Sequence, residues 1–138
     1  MSPSPAADEA NDGVVRLPSS HGVVATLDRL EALLKERGVL IFARIDFSGD
    51  AARAGLALSA EQQLIFGNPK AGTPLMAVNP AAALDLPIRA VCWQDSTGQT
   101  WLAYNAPDYV VRRHGLPPEL SRNLAAVVPL LEKAAAPG

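Results

Sequence analysis

In this 138-residue chain, the residues that most restrict backbone conformation are concentrated in one segment, Leu64-Ile65-Phe66-Gly67-Asn68-Pro69-Lys70-Ala71-Gly72-Thr73-Pro74-Leu75-Met76. Its apolar start predicts a short strand over 63–66. The middle predicts a turn, because Gly, Asn and Pro are residues that turns favour. Thr73 followed by Pro74 predicts an N-cap and the first position of a helix. The segment therefore predicts a strand that passes through a turn into a helix.

The turn from Gly67 to Thr73 is a candidate anion site. Lys70 supplies a positive charge, the glycines permit close backbone approach, and the following helix contributes the positive end of its dipole. The same residues also suit a purely structural connection, in which Gly67 and Gly72 meet backbone angles and Thr73 caps the helix. A Walker-type phosphate loop is excluded, because Lys70 precedes the last glycine and no Gly-Lys-Ser/Thr ending follows.

The strand predicted over 39–46 lies on the N-terminal side of this segment. Regular alternation puts Val39, Ile41, Ala43 and Ile45 on one face, and Leu40, Phe42, Arg44 and Asp46 on the other. The second face therefore ends in two charges. Arg44 and Asp46 are interpreted either as a polar patch at a pocket mouth, with Asp46 as base or ligand, or as an ordinary ion pair.

Further out, apolar spacing predicts two longer helices. Val23, Leu27, Leu30 and Leu34 form one helical stripe that follows an N-cap at Ser19-Ser20 and ends before Gly38. A last helix begins at Pro117-Pro118, and Pro129 within it predicts a kink or a split, because proline removes a backbone hydrogen bond.

Short elements occupy the rest of the chain. A strand over 13–18 ends at Pro18, a helical turn or two follows Ser48, and strands over 88–94 and 100–104 form a hairpin. Asn105 is expected to cap a short helix. This order predicts an α+β fold with the plan β-α-β4-α, in which two longer helices pack on one face of an antiparallel sheet.

Aromatic residues of the hairpin suggest a second covered surface. Trp93 and Trp101 lie opposite Cys92 and Leu102 if both strands are regular, so both sheet faces carry apolar residues. One face is expected under the helices and the other against a second copy, which predicts a homodimer. Tyr104 is a core residue with its hydroxyl at the rim, or a site residue as the minority interpretation.

Composition limits the function classes. Hydrophobic residues make up 49% and charged residues 19% of the chain. These values predict one folded domain over 13–135 behind a disordered tail over 1–12.

A net charge of −2 gives no excess of positive charge for binding nucleic acid, so nucleic acid is not expected as a partner. No apolar run spans a membrane and no signal peptide is visible, so a cytoplasmic protein is expected. One cysteine and two histidines show no ligand spacing, so no metal or cofactor is expected.

Several blocks resemble one family. Ala43-Arg44-Ile45-Asp46, Leu64 to Met76, Asp85-Leu86-Pro87 and Trp101-Leu102-Ala103-Tyr104-Asn105 are similar, in this order, to the bacterial and archaeal family called domain of unknown function 302. The resemblance implies a fold like that of the TATA-binding protein, a small homodimer, and no established activity. The positions that match the family pattern are Arg44, Asp46, Gly67, Asn68, Pro69, Lys70, Gly72, Thr73, Pro74, Tyr104, Asn105 and Pro107.

One position departs from that family. Its members often place a His directly after the Arg-Ile-Asp run, whereas this chain has Phe47 there. A metal or proton-transfer role for that His is therefore not carried over.

Three functions remain open. The first is a non-enzymatic binding module for a small anionic or carboxylate ligand, contacted by Gly67, Asn68, Lys70, Gly72 and Thr73. The second is an enzyme with Asp46 as general base, in which Arg44, Lys70 and Tyr104 bind or polarise the substrate. The third is a structural or protein-interaction dimer.

Overall fold

A computed structural model describes residues 12–138 and contains a five-stranded antiparallel sheet. The predicted tail over 1–12 lies outside the described residues, apart from Asp12. The strands are β1 (Val14–Ser19), β2 (Leu40–Asp46), β3 (Glu61–Gly67), β4 (Ile88–Gln94) and β5 (Thr100–Asn105). Their spatial order is β1-β5-β4-β3-β2, so β1 and β2 are the outer strands.

Helices complete the β-α-β4-α plan that the sequence predicts. They are α1 (Val23–Glu36), α2 (Phe47–Arg53), α3 (Pro69–Val78), α4 (Pro107–Arg113), α5 (Ser121–Ala125) and α6 (Val128–Ala135), with 3-10 helices at Pro80–Asp85 and Pro118–Leu120. The split of the last helix is confirmed, since Pro129 lies in the first turn of α6, where its missing N–H leaves no bond unmade. The fold class is therefore α+β, as predicted. No helix within residues 12–138 combines the length and the apolar character needed to cross a bilayer.

The main core lies between one sheet face and the helices α1 and α6. Leu27, Leu30 and Leu34 of the predicted stripe are fully buried, and they pack with residues such as Leu64 and Leu102 of the sheet. Full burial stabilises each such side chain by about 1.5–3 kcal/mol relative to exposure. The alternation of the hairpin is confirmed as well, because Cys92 and Leu102 belong to this core.

A second, smaller core sits at one end of the sheet. It joins α3, the first 3-10 helix, α4 and α5 through the buried side chains of Leu75, Ala82, Val110, Val111, Leu116 and Leu124. These elements form a lobe beside the ends of β3 and β4. The candidate site lies where this lobe meets the sheet.

The face assignment predicted for β2 is wrong, because the strand contains a bulge. The register of β2 on β3 shifts between Ile41 and Ala43, and Phe42 is the extra residue. Beyond the bulge each side chain changes face. Arg44 therefore stands opposite Leu64 on the core side, whereas Ala43 stands opposite Ile65 on the open side.

The start predicted for α3 is also wrong. The helix begins at Pro69 with Asn68 as its N-cap, so the region 69–73 is helical and not a turn. Pro74 lies inside the helix, where it lacks the N–H that would bond the Lys70 carbonyl. Thr73 is a residue of the second turn and caps nothing.

Three smaller expectations also differ. Gly22 is the N-cap of α1 and makes no side-chain bond, while the Ser19 hydroxyl accepts from the His21 N–H. Asn105 ends β5, and Ala106 precedes α4. Pro18 does not end β1, because β1 is an outer strand and one side of it needs no donor.

Candidate functional site

Two cavities flank the start of α3. Cavity A has a volume of about 210 Å³ and is almost entirely apolar. It lies between β3, α3 and the segment before β4 and is lined by Phe42, Gly67, Asn68, Pro69, Ala71, Gly72, Thr73, Met76, Leu86, Pro87, Ile88 and Leu124. The volume exceeds the roughly 150 Å³ of an engineered cavity that binds benzene, so cavity A is large enough for a substituted ring.

Two glycines keep cavity A open. A Cβ atom on Gly72 would stand 3.9 Å from both Leu86 Cδ1 and Met76 Cε, which is ordinary van der Waals contact. A Cβ atom on Gly67 would stand 3.4 Å from Pro87 Cβ and 3.6 Å from Phe42 Cε2. Larger residues at either position would therefore occupy space in the cavity.

The first N–H groups of α3 are bonded within the helix start. Asn68 Oδ1 accepts from the Lys70 N–H at 3.0 Å, and the Asn68 carbonyl accepts from Ala71 at 2.8 Å and from Gly72 at 3.0 Å. Pro69 has no N–H. The backbone donors predicted to face an anion are thus already used, and Lys70 is the remaining cationic group of this turn.

Lys70 is exposed and does not line cavity A. The polar side chains in the lining are Asn68 and Thr73. A ligand in cavity A would therefore have a mainly apolar environment, with Lys70 on the neighbouring solvent-facing side of the helix.

Cavity B shares part of its wall with cavity A and measures about 290 Å³. It is lined by Arg37, Val39, Gly67, Asn68, Ala71, Ile88, Asn123, Ala126, Val127 and Leu130. Gly67, Asn68, Ala71 and Ile88 line both cavities. Cavity B differs from cavity A in having a guanidinium group in its lining.

Arg44 binds α1 from the edge of the sheet. Its guanidinium donates to Asp28 Oδ1 at 2.6 Å and to the Val24 carbonyl at 3.2 Å, and its Nε donates to Gln62 Oε1 at 3.0 Å. These bonds hold the outer strand against the first helix. The surroundings of Arg44 are those of a structural residue.

Asp46 is the N-cap of α2. Its carboxylate accepts from the Gly49 N–H at 3.0 Å and from the Ser48 hydroxyl at 2.8 Å, and these bonds lower the pKa of Asp46. A lowered pKa makes the carboxylate a weaker base, which is the opposite of what general-base catalysis near neutral pH needs.

The eight candidate residues lie at three places: the start of α3, strand β2 with Arg44 and Asp46, and the main core with Tyr104. Gly67, Asn68, Lys70, Gly72 and Thr73 lie together at the start of α3. Asp46 lies at the far end of β2, about 20 Å from that point by strand length, since Leu40 pairs with Gly67 and Asp46 with Gln62. Tyr104 is buried in the main core and lines neither cavity A nor cavity B. The convergence of Asp46, Lys70 and Tyr104 required by the enzyme hypothesis is therefore not present.

A polar cluster of two largely covered side chains and one exposed arginine lies in the end lobe. His114 Nε2 stands 2.5 Å from Asp85 Oδ2, and Arg113 donates to the same carboxylate at 3.0 Å. These bonds join α4 to the 3-10 helix before β4. Within residues 12–138, no three His, Cys, Asp or Glu side chains are grouped closely enough to hold a metal ion.

Sequence reasoning missed most of the apolar lining and one cation. Phe42, Met76, Leu86 and Pro87 reach cavity A from three different elements, so no spacing pattern connects them. Arg37 ends α1, where a basic residue is ordinary for a helix C-terminus. Only the packing of the lobe against the sheet brings it near α3.

Comparison with known proteins identifies proteins that are similar to this chain in sequence or in structure. The family model described as "Domain of unknown function DUF302" matches residues 15–134. The solved structure titled "Crystal structure of uncharacterized conserved protein DUF302 from Bacillus stearothermophilus" matches with a TM-score of 0.73 and 22% identity, covering 89% of this chain and 95% of that chain. At that identity the match shows a shared fold.

Curated relatives have a different description. The protein "Fluoride-specific ion channel FluC 1" of Brucella suis biovar 1 (strain 1330) is 41% identical over 112 residues, which are 81% of this chain and 44% of that protein. "Fluoride-specific ion channel FluC 2" of Brucella melitensis biotype 1 has the same identity over 112 residues, 42% of its length. The chain thus spans less than half the length of these relatives.

Proposed function

Because the chain belongs to the DUF302 family, whose description assigns no activity, we propose a function from the site itself: a non-enzymatic, homodimeric binding module for a small ligand at the start of α3. The ligand has a compact apolar body and one anionic end, such as a carboxylate. Cavity A is the observation that carries this proposal, because five of the eight candidate residues lie in its lining or beside it.

The lining of cavity A supports the apolar body of the ligand. Met76, Leu86, Pro87 and Phe42 present hydrocarbon or aromatic surface, and burying such surface contributes about 25 cal/mol per Å². The volume of about 210 Å³ lies below the roughly 300–1,000 Å³ of pockets for drug-sized ligands. The ligand is accordingly a single ring or a short branched chain.

The charges at the start of α3 support the anionic end. Lys70 lies in the first turn, which contains no acidic residue, and the helix dipole adds partial positive charge at the same place. Lys70 is exposed, so its attraction acts through solvent and weakens with salt. Asn68 and Thr73 offer hydrogen bonds at the cavity wall.

The experiment is a thermal-shift screen of small aromatic and branched aliphatic acids on the wild type and Gly72→Leu. A ligand at about 100 times its Kd adds about 2.7 kcal/mol of stability, which is visible as a raised Tm. Gly72→Leu fills cavity A and should reduce the shift, because only binding outside cavity A remains in this variant. Ala77→Leu adds the same side chain on the exposed side of α3 and should retain it. Equal shifts in all three proteins would overturn the assignment of the cavity.

The open face of the sheet supports the dimer. Trp93 and Trp101 stand directly opposite each other in the register of β4 and β5, on the face away from α1 and α6. Both are partly exposed, as are Val91 and Ile65 on the same face. A second copy packed on this face would bury these residues.

A second candidate function follows from the curated relatives. The segment of 112 residues shared with the Brucella suis protein suggests an accessory domain of an ion channel. More than half of that relative lies outside the shared segment, so the module could act on a channel present in the same or another chain.

This candidate is tested on the relative itself. Fluoride flux into liposomes is measured for the full Brucella suis protein and for a version without the shared segment. A change in flux rate or in its fluoride dependence supports an accessory role. Identical flux from both versions would contradict it.

A further inference from the structure

Cavity B has the features of a binding site that neither the sequence nor the relatives assign. Its volume of about 290 Å³ is larger than that of cavity A, and its wall combines apolar and cationic groups. Val39, Ile88, Val127 and Leu130 form the apolar part. Arg37 supplies a positive charge at the end of α1.

Arg37 has unused hydrogen-bonding capacity. Within residues 12–138, no carboxylate lies within ion-pair distance of its guanidinium, which is also true of Arg89, Arg112 and Arg122. The side chain is exposed, so solvent and solutes reach it. A guanidinium offers two parallel donors that match a carboxylate.

Two amides add polar groups to the same cavity. Asn123 donates one Nδ2 hydrogen to the Ala71 carbonyl at 3.1 Å, which fixes the amide and leaves its oxygen and a second N–H. Asn68 uses its oxygen for the Lys70 N–H, which leaves the Nδ2 donors. The lining contains no acidic residue. Its charge and its donors thus favour an anion.

We propose that cavity B is a second ligand site, which takes a small organic carboxylate with its charged group on Arg37 and its hydrocarbon part against Val127 and Leu130. This site goes beyond the proposed function, which concerns cavity A. The two cavities share Gly67, Asn68, Ala71 and Ile88, and each has lining residues that the other lacks.

The probes are 3-phenylpropionate and its neutral amide, 3-phenylpropanamide, which differ in charge and hardly in shape. Each is titrated into ¹⁵N-labelled protein, and backbone amide shifts locate the binding. Val39, Val127 and Leu130 report on cavity B, whereas Thr73 and Met76 report on cavity A. We expect the acid to shift the cavity B reporters with a lower Kd than the amide.

Three variants test the assignment. Arg37→Gln should raise the Kd of the acid at the cavity B reporters by about tenfold and leave the Kd of the amide unchanged, because the lost interaction is charge-assisted. Arg112→Gln removes the same charge from α4, outside the cavity lining, and should change neither Kd. Gly72→Leu fills cavity A and should leave the cavity B shifts intact.

Each other result has a defined meaning. The second site would be overturned by an unchanged Kd of the acid in Arg37→Gln. It would also be overturned if neither probe shifted Val39, Val127 and Leu130. Binding in cavity A would still be judged separately, from the shifts of Thr73 and Met76. Loss of the cavity B shifts in Gly72→Leu would also overturn it, because one ligand would then occupy both cavities. Shifts confined to the cavity B reporters would retain this site and count against the proposed function.

Discussion

At the scale of single residues, Gly72 lowers the stability of α3 while it leaves space for the proposed ligand. It lies inside α3, and glycine is about 0.8–1 kcal/mol less favourable than alanine in a helix interior. Its backbone angles are helical, and a Cβ atom there would meet only ordinary contacts. Its absent side chain contributes open volume to cavity A.

Gly72→Ala should therefore raise the free energy of unfolding by about 0.5–1 kcal/mol. Urea denaturation followed by tryptophan fluorescence measures the change. Gly115→Ala is the matched control, because Gly115 has a φ of +62° and its Cβ would contact nothing, so only backbone strain acts and stability should fall. A loss of stability in Gly72→Ala would contradict the helical geometry of this position.

Arg44 is expected to act on stability and not on binding. Arg44→Leu removes hydrogen bonds to Asp28, Gln62 and a backbone carbonyl of α1, and should lower the free energy of unfolding by about 1–2 kcal/mol. Arg53→Leu breaks an exposed pair with Asp50 and should change it by less than about 0.5 kcal/mol. Equal effects of the two variants would argue against a structural role for Arg44.

At the scale of elements, the β4–β5 hairpin depends on one carboxylate. Asp95 accepts from the Thr97 hydroxyl at 2.7 Å and from Trp101 Nε1 at 2.9 Å, and backbone N–H groups of Thr97 and Gln99 add to these bonds. The Thr97 hydroxyl, followed by Trp101, lowers the pKa of Asp95 from 3.8 to about 2.

The pH dependence follows from the direction of that shift. Because the folded pKa lies below the unfolded one, the stabilisation from Asp95 is complete above about pH 3.8 and is lost as the pH falls towards 2. Asp95→Asn should flatten the stability profile between pH 4 and pH 2, as measured by denaturant unfolding in that window. If the stability of Asp95→Asn fell with pH as steeply as that of the wild type, the acid sensitivity would come from groups other than Asp95.

Elements with a single strong signal were predictable from the sequence. The buried stripe of α1 and the turn before Gly98 are examples, since periodicity and turn chemistry agree there. The start of α3 was not, because Asn68-Pro69 and Thr73-Pro74 are equally good helix starts by local signals. The structure uses the first, where Asn68 Oδ1 accepts from the Lys70 N–H. The bulge at Phe42 was not predictable either, because it lies in a run of apolar residues whose pattern does not change at the bulge.

The candidate site was predictable only where its residues form a local sequence pattern. Gly67, Gly72 and Asn68 are local signals within one segment, so the segment was found. Arg37 and Leu86 come from distant parts of the chain, and no local pattern connects either of them to α3. Their places in the cavity walls depend on how the end lobe packs against the sheet.

At the scale of the whole molecule, the sheet has one face under α1 and α6 and one face with partly exposed apolar residues. Ile65, Val91, Trp93 and Trp101 lie on the second face, on three adjacent strands. Charge at the centre of this face would oppose its burial against a second copy.

We expect light scattering to give twice the chain mass of 14.5 kDa for the wild type and the single mass for Val91→Glu. Val91 stands at the middle of the open face, opposite Gln63 and Ala103. Leu56→Glu changes an exposed residue of the loop before β3 and should remain a dimer. A wild type that is a monomer at every concentration would reject the dimer.

The bulge in β2 has a consequence for how copies of this molecule can associate. An outer strand with a regular hydrogen-bonding edge is a template on which further chains add strand by strand, without limit. Phe42 interrupts that edge on β2, and Pro18 lacks an N–H on β1, the other outer strand. Sheet extension is thus disfavoured at both ends. The proposed dimer through the open face would therefore be a closed assembly of two copies and not a growing fibre.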